Sequence, residues 1–398
     1  HAAAEAKYSK RRQAQAWRLL LWKGPDMNLK GLEVAIVGGG IGGMAVAAAF
    51  AQRGAQVQVF EQAPALTEVG AGLQVSANGQ RVLAAMGVAA QASAQVSPGT
   101  QMRDGHTGRK IAFVPAPTAG ATWYMHRADL LDLLVTAATA AGVDVQLDRV
   151  VTPGTIKADL IIAADGGQSV WRSAIDGPVT PEFTGQVAWR ALVLTGDQTV
   201  TDHPATLSMG GRAHVVSYPL RGGQLMNIVA VEERSGWTQE GWKQEADIAE
   251  FRARFADFHG PERQWIDAAY TAHLWALHLR PVARTWVKDN TVLLGDAAHP
   301  TLPFMAQGAC LALEDAWVLA DAVEGASTIA DGLHRYQAVR QSRAQRVVGL
   351  AKGNAWRFHL SRPWSWGAQL VLSVGAPSLA RGLDWVYDYD AVTAVRAA

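Results

Sequence analysis

The sequence predicts an α/β protein: a parallel-sheet domain interleaved with an antiparallel sheet and closed by a C-terminal helical region. Three observations predict it. A short apolar run at 32–37 passes directly into Gly38-Gly39-Gly40-Ile41-Gly42-Gly43 and then into an Ala-rich helical stretch. Two more apolar runs, at 159–164 and 291–294, end in Asp165-Gly166 and Gly295-Asp296. Between 182 and 279 the pattern changes to strand-like segments broken by turns such as Arg221-Gly222-Gly223.

The bulk properties set the bounds. The 398 residues allow two or three domains or one large composite one, and 49% hydrophobic against 18% charged residues argues against extensive disorder. A single cysteine, Cys310, excludes a disulfide framework and a multi-cysteine metal site. No apolar run reaches the ~18 residues a spanning helix needs. A net charge of +1 argues against nucleic acid as the main partner. That charge is uneven: residues 1–26 carry net +4 and the rest −3. Met27 is therefore read as the natural start and 1–26 as a tag or other non-native extension; a basic amphipathic arm is the other reading.

The first element group is a strand, a glycine turn, a helix and a second strand (57–60) that ends at Glu61. Gly38, Gly40 and Gly43 occupy the places of the G-x-G-x-x-G fingerprint. Gly38 allows the tight turn, Gly40 lets the backbone approach a pyrophosphate, and Gly43 lets the helix lie close on the strand. The helix N-terminus offers unpaired N–H groups to phosphate. Glu61 is placed to accept from a ribose diol, which favours FAD or NAD over NADP. The set predicts a Rossmann-like, dinucleotide-binding domain.

The next two motifs bear on which dinucleotide. Asp165 and Asp296 both stand at carboxyl ends of predicted strands, where ligands bind in open α/β sheets. Each could instead be a helix cap or turn residue. After Asp296 come Pro303, Gln307-Gly308-Ala309 and a helical stretch from Cys310. The helix turn after Gly308 suits negative charge on a flavin ring.

With these motifs in place, the chain resembles the single-component FAD-dependent aromatic hydroxylases, the group that includes salicylate, 3-hydroxybenzoate and 6-hydroxynicotinate monooxygenases. The resemblance covers about residues 30–390. It rests on Gly38–Gly43, His126-Arg127-Ala128-Asp129-Leu130, Asp165-Gly166, and Gly295-Asp296-Ala297-Ala298-His299-Pro300 with the Pro303–Ala309 loop. The closing Asp384-Trp385-Val386-Tyr387-Asp388-Tyr389-Asp390 resembles the 3-hydroxybenzoate and 6-hydroxynicotinate branch. The resemblance implies a p-hydroxybenzoate hydroxylase-like FAD-binding fold of the GR2 type. It implies FAD as cofactor, NADH or NADPH as transient electron donor and O2 as co-substrate. The cofactor set it implies is Gly38, Gly40, Ile41, Gly42, Gly43, Glu61, Gln62, Arg127, Asp165, Gly166, Asp296, Pro303, Gly308 and Ala309. Arg127 is otherwise a solvated arginine in the first turn of a helix.

The segment 182–279 reads as the substrate side. His214 and Tyr218 stand four apart, so on a strand both face one way. A phenol has a pKa near 10 and is activated toward electrophilic oxygen as phenolate, and a histidine near 6.5 can take its proton. On spacing alone the pair could be ordinary sheet residues. The resemblance to 3-hydroxybenzoate 6-hydroxylases implies His214, Tyr218 and Gln307 as the catalytic set. It places Gln74 where 6-hydroxynicotinate enzymes carry histidine. Arg190 is a candidate partner for a substrate carboxylate or a structural ion pair. Cys310 reads as helix packing, and the remaining histidines, His359 among them, as surface or satisfied core. Two features depart from the family: only 148–158 separates the 143–147 strand from the Asp-Gly motif, and His278 stands where relatives have an acid.

The predicted layout places a discontinuous FAD-binding domain at 27–95, 122–181 and 280–330. The substrate sheet takes 96–121 and 182–279, and 331–398 is helical. The segment 333–348 reads as a long amphipathic helix that covers the domains or meets a second subunit, so a homodimer is open. The expected function is a cytoplasmic monooxygenase that hydroxylates a small phenolic acid. The alternatives are an epoxidase, oxidase or hydroxylase of a larger aromatic or heteroaromatic metabolite, and a non-catalytic FAD-binding protein.

Overall fold

The apolar run near the N-terminus becomes the central strand of a six-stranded sheet. The computed structural model describes residues 27–66, 71–196, 200, 203–236, 245–361 and 363–397, so the basic segment 1–26 and Gly70 lie outside the described residues. The strand order is Val287–Lys288, Thr291–Leu293, Leu160–Ala163, Glu33–Val37, Gln56–Phe60 and Asp144–Gln146. All neighbours pair parallel except the 287–288 edge strand. Val34 to Val37 and Leu160 to Ala163 are buried on both faces, which is why their sequences run apolar without alternation. The helix Ile41–Ala51 is buried all round, and it packs against the helices Gly308–Glu324 and Arg127–Ala140. The segment 148–158 forms no strand and packs beside the second strand, with Arg149 N donating to Glu61 O at 2.8 Å.

The second sheet has eight strands: Glu245–Ala246, Ala272–Leu279, Glu182–Leu194, Leu225–Glu233, Ala213–Leu220, Ala205–Gly210, Gly99–Asp104 and Lys110–Pro115. It corrects the expectation of a purely antiparallel sheet in one place. Residues 205–209 pair parallel with 100–104. Those strands come from two distant chain segments, so no hairpin dictates their direction. One face carries Trp189, stacked on Phe251 at 5.3 Å, beneath the small helices at 248–254 and 262–268. The other face, with Ala188 and Val231, packs on Leu302, Phe304, Met305 and Ala351. A small sheet of Gly72–Val75, Trp123–His126 and Gln95–Val96 lies with it.

The predicted C-terminal helix is longer than its amphipathic window, running Ile329–Arg357. Thr328 caps it, its Oγ1 accepting from Asp331 N at 3.1 Å. The helix Trp364–Gly382 follows. Among the described tryptophans, Trp189 and Trp286 are core, whereas Trp356, Trp364 and Trp366 are exposed. Among the described residues no helix is long and apolar enough to cross a membrane, and no His/Cys/Asp/Glu group could hold a metal ion.

Candidate active site

The glycine turn is built as its spacing requires. Gly38 has φ +103°, and a Cβ there would lie 2.4 Å from the Ala164 carbonyl oxygen. A Cβ on Gly43 would lie 1.9 Å from the Gly38 oxygen, so only glycine lets the helix descend onto the strand. Gly40 is different: no atom lies within 4 Å of its would-be Cβ. The helix that starts at Ile41 has no side-chain cap and no acid in its first turn, so no capping side chain takes its leading N–H groups. Glu61 reaches back to this turn, its carboxylate accepting from Gly39 N at 2.7 Å and Ala63 N at 2.8 Å. Gln62 is exposed next to it.

The two aspartates arrive from neighbouring strand ends. Asp165 follows Leu160–Ala163 and accepts from Val170 N at 3.0 Å, while its Oδ1 is buried without a hydrogen-bond partner. Burial pushes its carboxyl above the usual range. Gly166 turns the chain at φ +81°. Asp296 lies in the turn Gly295–Ala297, and its side chain is exposed to solvent although low-dielectric protein surrounds it. Burial raises its carboxyl, and the charges of His299 and Arg127 pull it back. Arg127 opens its helix, its amide donating to Ala71 O at 2.8 Å.

The loop after Asp296 makes a single turn at Pro303–Met305, passes through Ala306 at φ +50°, and starts a helix at Gly308 that also lacks a side-chain cap. Ala309 packs on the core. The Gln307 amide is buried, donating to Ser76 Oγ at 2.9 Å and accepting from Asn78 Nδ2 at 2.9 Å. The structure thus brings Gln307 to Ser76 and Asn78, and to Gln74 and Tyr124 across a narrow cleft of about 90 Å³.

The inner face of the eight-stranded sheet gathers the other candidates. Cross-strand rows are His214–Val231–Ala188, Val216–Val229–Arg190 and Tyr218–Asn227–Leu192. His214, Tyr218 and Arg190 therefore share one face, but His214 and Tyr218 have separate neighbours. Tyr218 packs on Tyr124 at 4.8 Å between ring centroids. A Cβ on Gly72 would lie 2.8 Å from the Tyr218 hydroxyl, so glycine lets that loop press against the ring. Burial pushes the Tyr218 phenol well up, against the pull of Arg190, so it stays a donor at neutral pH. His214 is 1% exposed, walled by Phe304 at 5.4 Å and Phe358 at 5.2 Å. Burial holds it well below 6.5, with His359 adding to the shift, so it is a neutral acceptor. Arg190 lies over the Trp275 ring at 4.8 Å.

This geometry can be set beside known proteins. A profile described as an FAD binding domain matches residues 152–351, and one described as a pyridine nucleotide-disulphide oxidoreductase matches 5–113. A 3-amino-4-hydroxybenzoate 2-monooxygenase of Streptomyces platensis is 32% identical, covering 90% of this chain and 96% of the relative. Salicylate hydroxylase of Pseudomonas putida is 32% identical, covering 91% and 94%.

The chain belongs to the FAD-dependent aromatic monooxygenases.

The 3-hydroxybenzoate 6-hydroxylase of Klebsiella oxytoca, 31% identical over 90% of this chain and 97% of its own, is similar in the same way. The fold agrees with a salicylate hydroxylase substrate complex (TM-score 0.74, 24% identity, 92% and 98% covered). It also agrees with 2,6-dihydroxypyridine-3-hydroxylase from Arthrobacter nicotinovorans (TM-score 0.73, 20% identity, 85% and 95% covered). FAD is the cofactor of this monooxygenase, and the residues present fit it: an open Gly40 face, two uncapped helix starts, an orphaned Asp165 oxygen and an exposed Asp296.

Two groups of residues in this monooxygenase were missed from sequence. The first is a buried ionic network under the loop. His299 Nε2 and Arg340 Nε contact Asp315 at 2.5 and 2.7 Å, and Arg340 and Arg343 hold Glu314 at 2.6 and 2.7 Å. Asn78 links Glu314 to Gln307. Arg343 also donates to the carbonyls of Trp385 and Val386 and lies 3.9 Å over Tyr389, which explains the closing Asp384–Asp390 motif. The second is the partner of His359, which is buried and hydrogen-bonded as the satisfied-core reading expects: it bonds directly to His214.

Proposed function

We propose that this monooxygenase hydroxylates a small hydroxy-aromatic acid, with Arg190 pairing its carboxylate and His214 taking the proton of its ring hydroxyl. The observation that carries the reading is the shared inner face of Arg190, His214 and Tyr218, with Phe304 of the loop against His214. When bound and reduced by NADH or NADPH, FAD supplies activated oxygen from O2. The chain's own residues do the rest. Glu61 and Gln62 take the adenosine ribose. Gly38 to Gly43 and the following helix take the pyrophosphate, with Arg127 and Asp165-Gly166 beside it. Asp296 holds the ribityl chain, and Pro303 with Gly308-Ala309 borders the flavin ring.

His214, neutral and walled by rings, accepts the phenol proton at a nitrogen, which makes the ring electron-rich enough to attack oxygen. Tyr218, a permanent donor here, steadies the phenolate oxygen. Gln307, held by Ser76 and Asn78, positions the loop, and Gln74 lines the cleft it shares. Dense aromatic packing around His214 excludes water, which would otherwise waste reducing equivalents as peroxide. Ala substitution at His214 should cut coupled hydroxylation by at least 100-fold while sparing FAD content; unchanged product formation at neutral pH would refute the assignment.

The enzyme is further read as cytoplasmic, where the nicotinamide donor is available, and as a homodimer. The exposed apolar stretch with Trp364, Trp366, Leu370, Val371 and Val374 supports the dimer, which sedimentation would test.

A further inference from the structure

We infer that His359 and Glu233 form a proton relay behind His214 that fixes its tautomer and carries the substrate proton out to solvent. The inference rests on His214 being the base. His214 Nδ1 lies 2.8 Å from His359 Nε2, and His359 Nδ1 lies 3.2 Å from Glu233 Oε1. The three groups come from the strand Ala213–Leu220, the turn just past the long helix and the strand Leu225–Glu233. Both histidines are buried, whereas the Glu233 side chain is 35% exposed. The line therefore runs from the inner face of the sheet to water.

The direction of each bond follows from its far end. A carboxylate only accepts, so Glu233 requires a proton on His359 Nδ1. His359 Nε2 is then a lone pair and requires a proton on His214 Nδ1. That leaves His214 Nε2 bare, the form a base needs. Gln186 Nε2, which donates one hydrogen to Ala355 O at 2.9 Å, also lies 3.1 Å from His359 Nδ1 and competes for that nitrogen with its second; the anionic carboxylate is the stronger partner and sets the tautomer. The other charges facing the relay are Arg212, whose Nε bonds Glu233 at 3.0 Å, and Arg254, whose positive charge opposes protonation of His359. Phe304 and Phe358 close the sides.

The transfer balances without leaving charge on either ring. The phenol O–H bond breaks and its proton joins His214 Nε2. The His214 Nδ1 proton passes to His359 Nε2, and the His359 Nδ1 proton passes to Glu233, which releases it to solvent. Burial disfavours a lasting imidazolium at both positions, in keeping with a concerted shift. The same path in reverse reprotonates the product oxygen and restores the tautomers. Glu233 and His359 act through His214 and are positioning residues.

The test uses the full-length holoenzyme with salicylate, 3-hydroxybenzoate and 3-amino-4-hydroxybenzoate. Ultraviolet difference spectra report phenolate formation on binding, and product yield is followed against pH. Glu233→Gln and His359→Gln should each move the ionisation of the bound phenol up by a pH unit or more. Hydroxylation at pH 7 should fall at least tenfold, with FAD content and affinity for the carboxylate unchanged. Glu233→Gln, at the solvent end, keeps the relay testable should His359→Gln fail to fold. Wild-type pH profiles in Glu233→Gln would overturn the relay alone. A wild-type enzyme that converts none of the three overturns the substrate reading and the relay with it.

Discussion

A Cβ atom on Gly43 would sit 1.9 Å from the carbonyl oxygen of Gly38, so the helix and the strand of the first sheet touch through bare backbone. Gly40, three residues earlier, meets nothing within 4 Å. The two glycines are therefore placed differently: Gly43 is pressed against backbone, whereas Gly40, which we propose faces the cofactor, is open.

Substituting each with alanine should separate these roles. Gly43→Ala forces the strand and helix apart and should lower the melting temperature of the apoprotein by several degrees, a cost of roughly 1–3 kcal/mol for overpacking. Gly40→Ala should leave the apoprotein melting within about 2 °C of wild type but weaken FAD retention at least tenfold. Calorimetry of apoprotein and the ratio of flavin to protein absorbance give both readings. Equal effects of the two substitutions would contradict the division.

How far the sequence reached depends on the range of each interaction. The parallel strands were legible because each is a short apolar run with an acidic residue just past its end, as at Glu61, Asp165 and Asp296. These signals lie within a few residues of chain. The parallel pairing of 205–209 with 100–104 was not legible, since no local pattern records the direction in which two distant strands meet. Nor was the ionic network: Arg340 and Arg343 look like the polar face of an exposed helix until Glu314 and Asp315 close on them. His359 lay 145 residues from His214 in an unremarkable helix end, and only the fold joins them.

Arg190 is the residue to change for specificity. Replacing it with methionine removes the charge, together with the guanidinium that lies over Trp275. The loss of a charge-assisted hydrogen bond to a carboxylate costs about 2 kcal/mol, which is roughly a 30-fold rise in KM. Lysine should recover only part of this, because it lacks the planar fork. Phenol, which has no carboxylate, should be indifferent to Arg190→Met. Steady-state kinetics on 3-hydroxybenzoate and phenol check the contrast.

Acid should destabilise the protein earlier than carboxylate titration alone would require. Both His214 and His359 are held below 6.5 by burial. The unfolded chain then binds more protons than the folded one once the pH drops below about 6.5, so stability falls with falling pH. Each histidine adds at most about 1.4 kcal/mol per pH unit. Urea midpoints at pH 8, 6.5 and 5 should fall in that order, and His214→Gln should flatten the slope. A wild-type midpoint that rises on acidification would contradict the buried, neutral histidines.

The central claim is that FAD, a nicotinamide donor and the inner face of the sheet together place one oxygen atom on a hydroxy-aromatic acid. The most direct measurement supplies the holoenzyme with NADH, labelled O2 and salicylate, 3-hydroxybenzoate or 3-amino-4-hydroxybenzoate, and follows NADH loss and product mass together. The account predicts substrate-stimulated NADH oxidation and a product carrying one labelled oxygen, in near-equal amounts. NADH consumed at the same rate with or without each acid, with only peroxide formed, would contradict it.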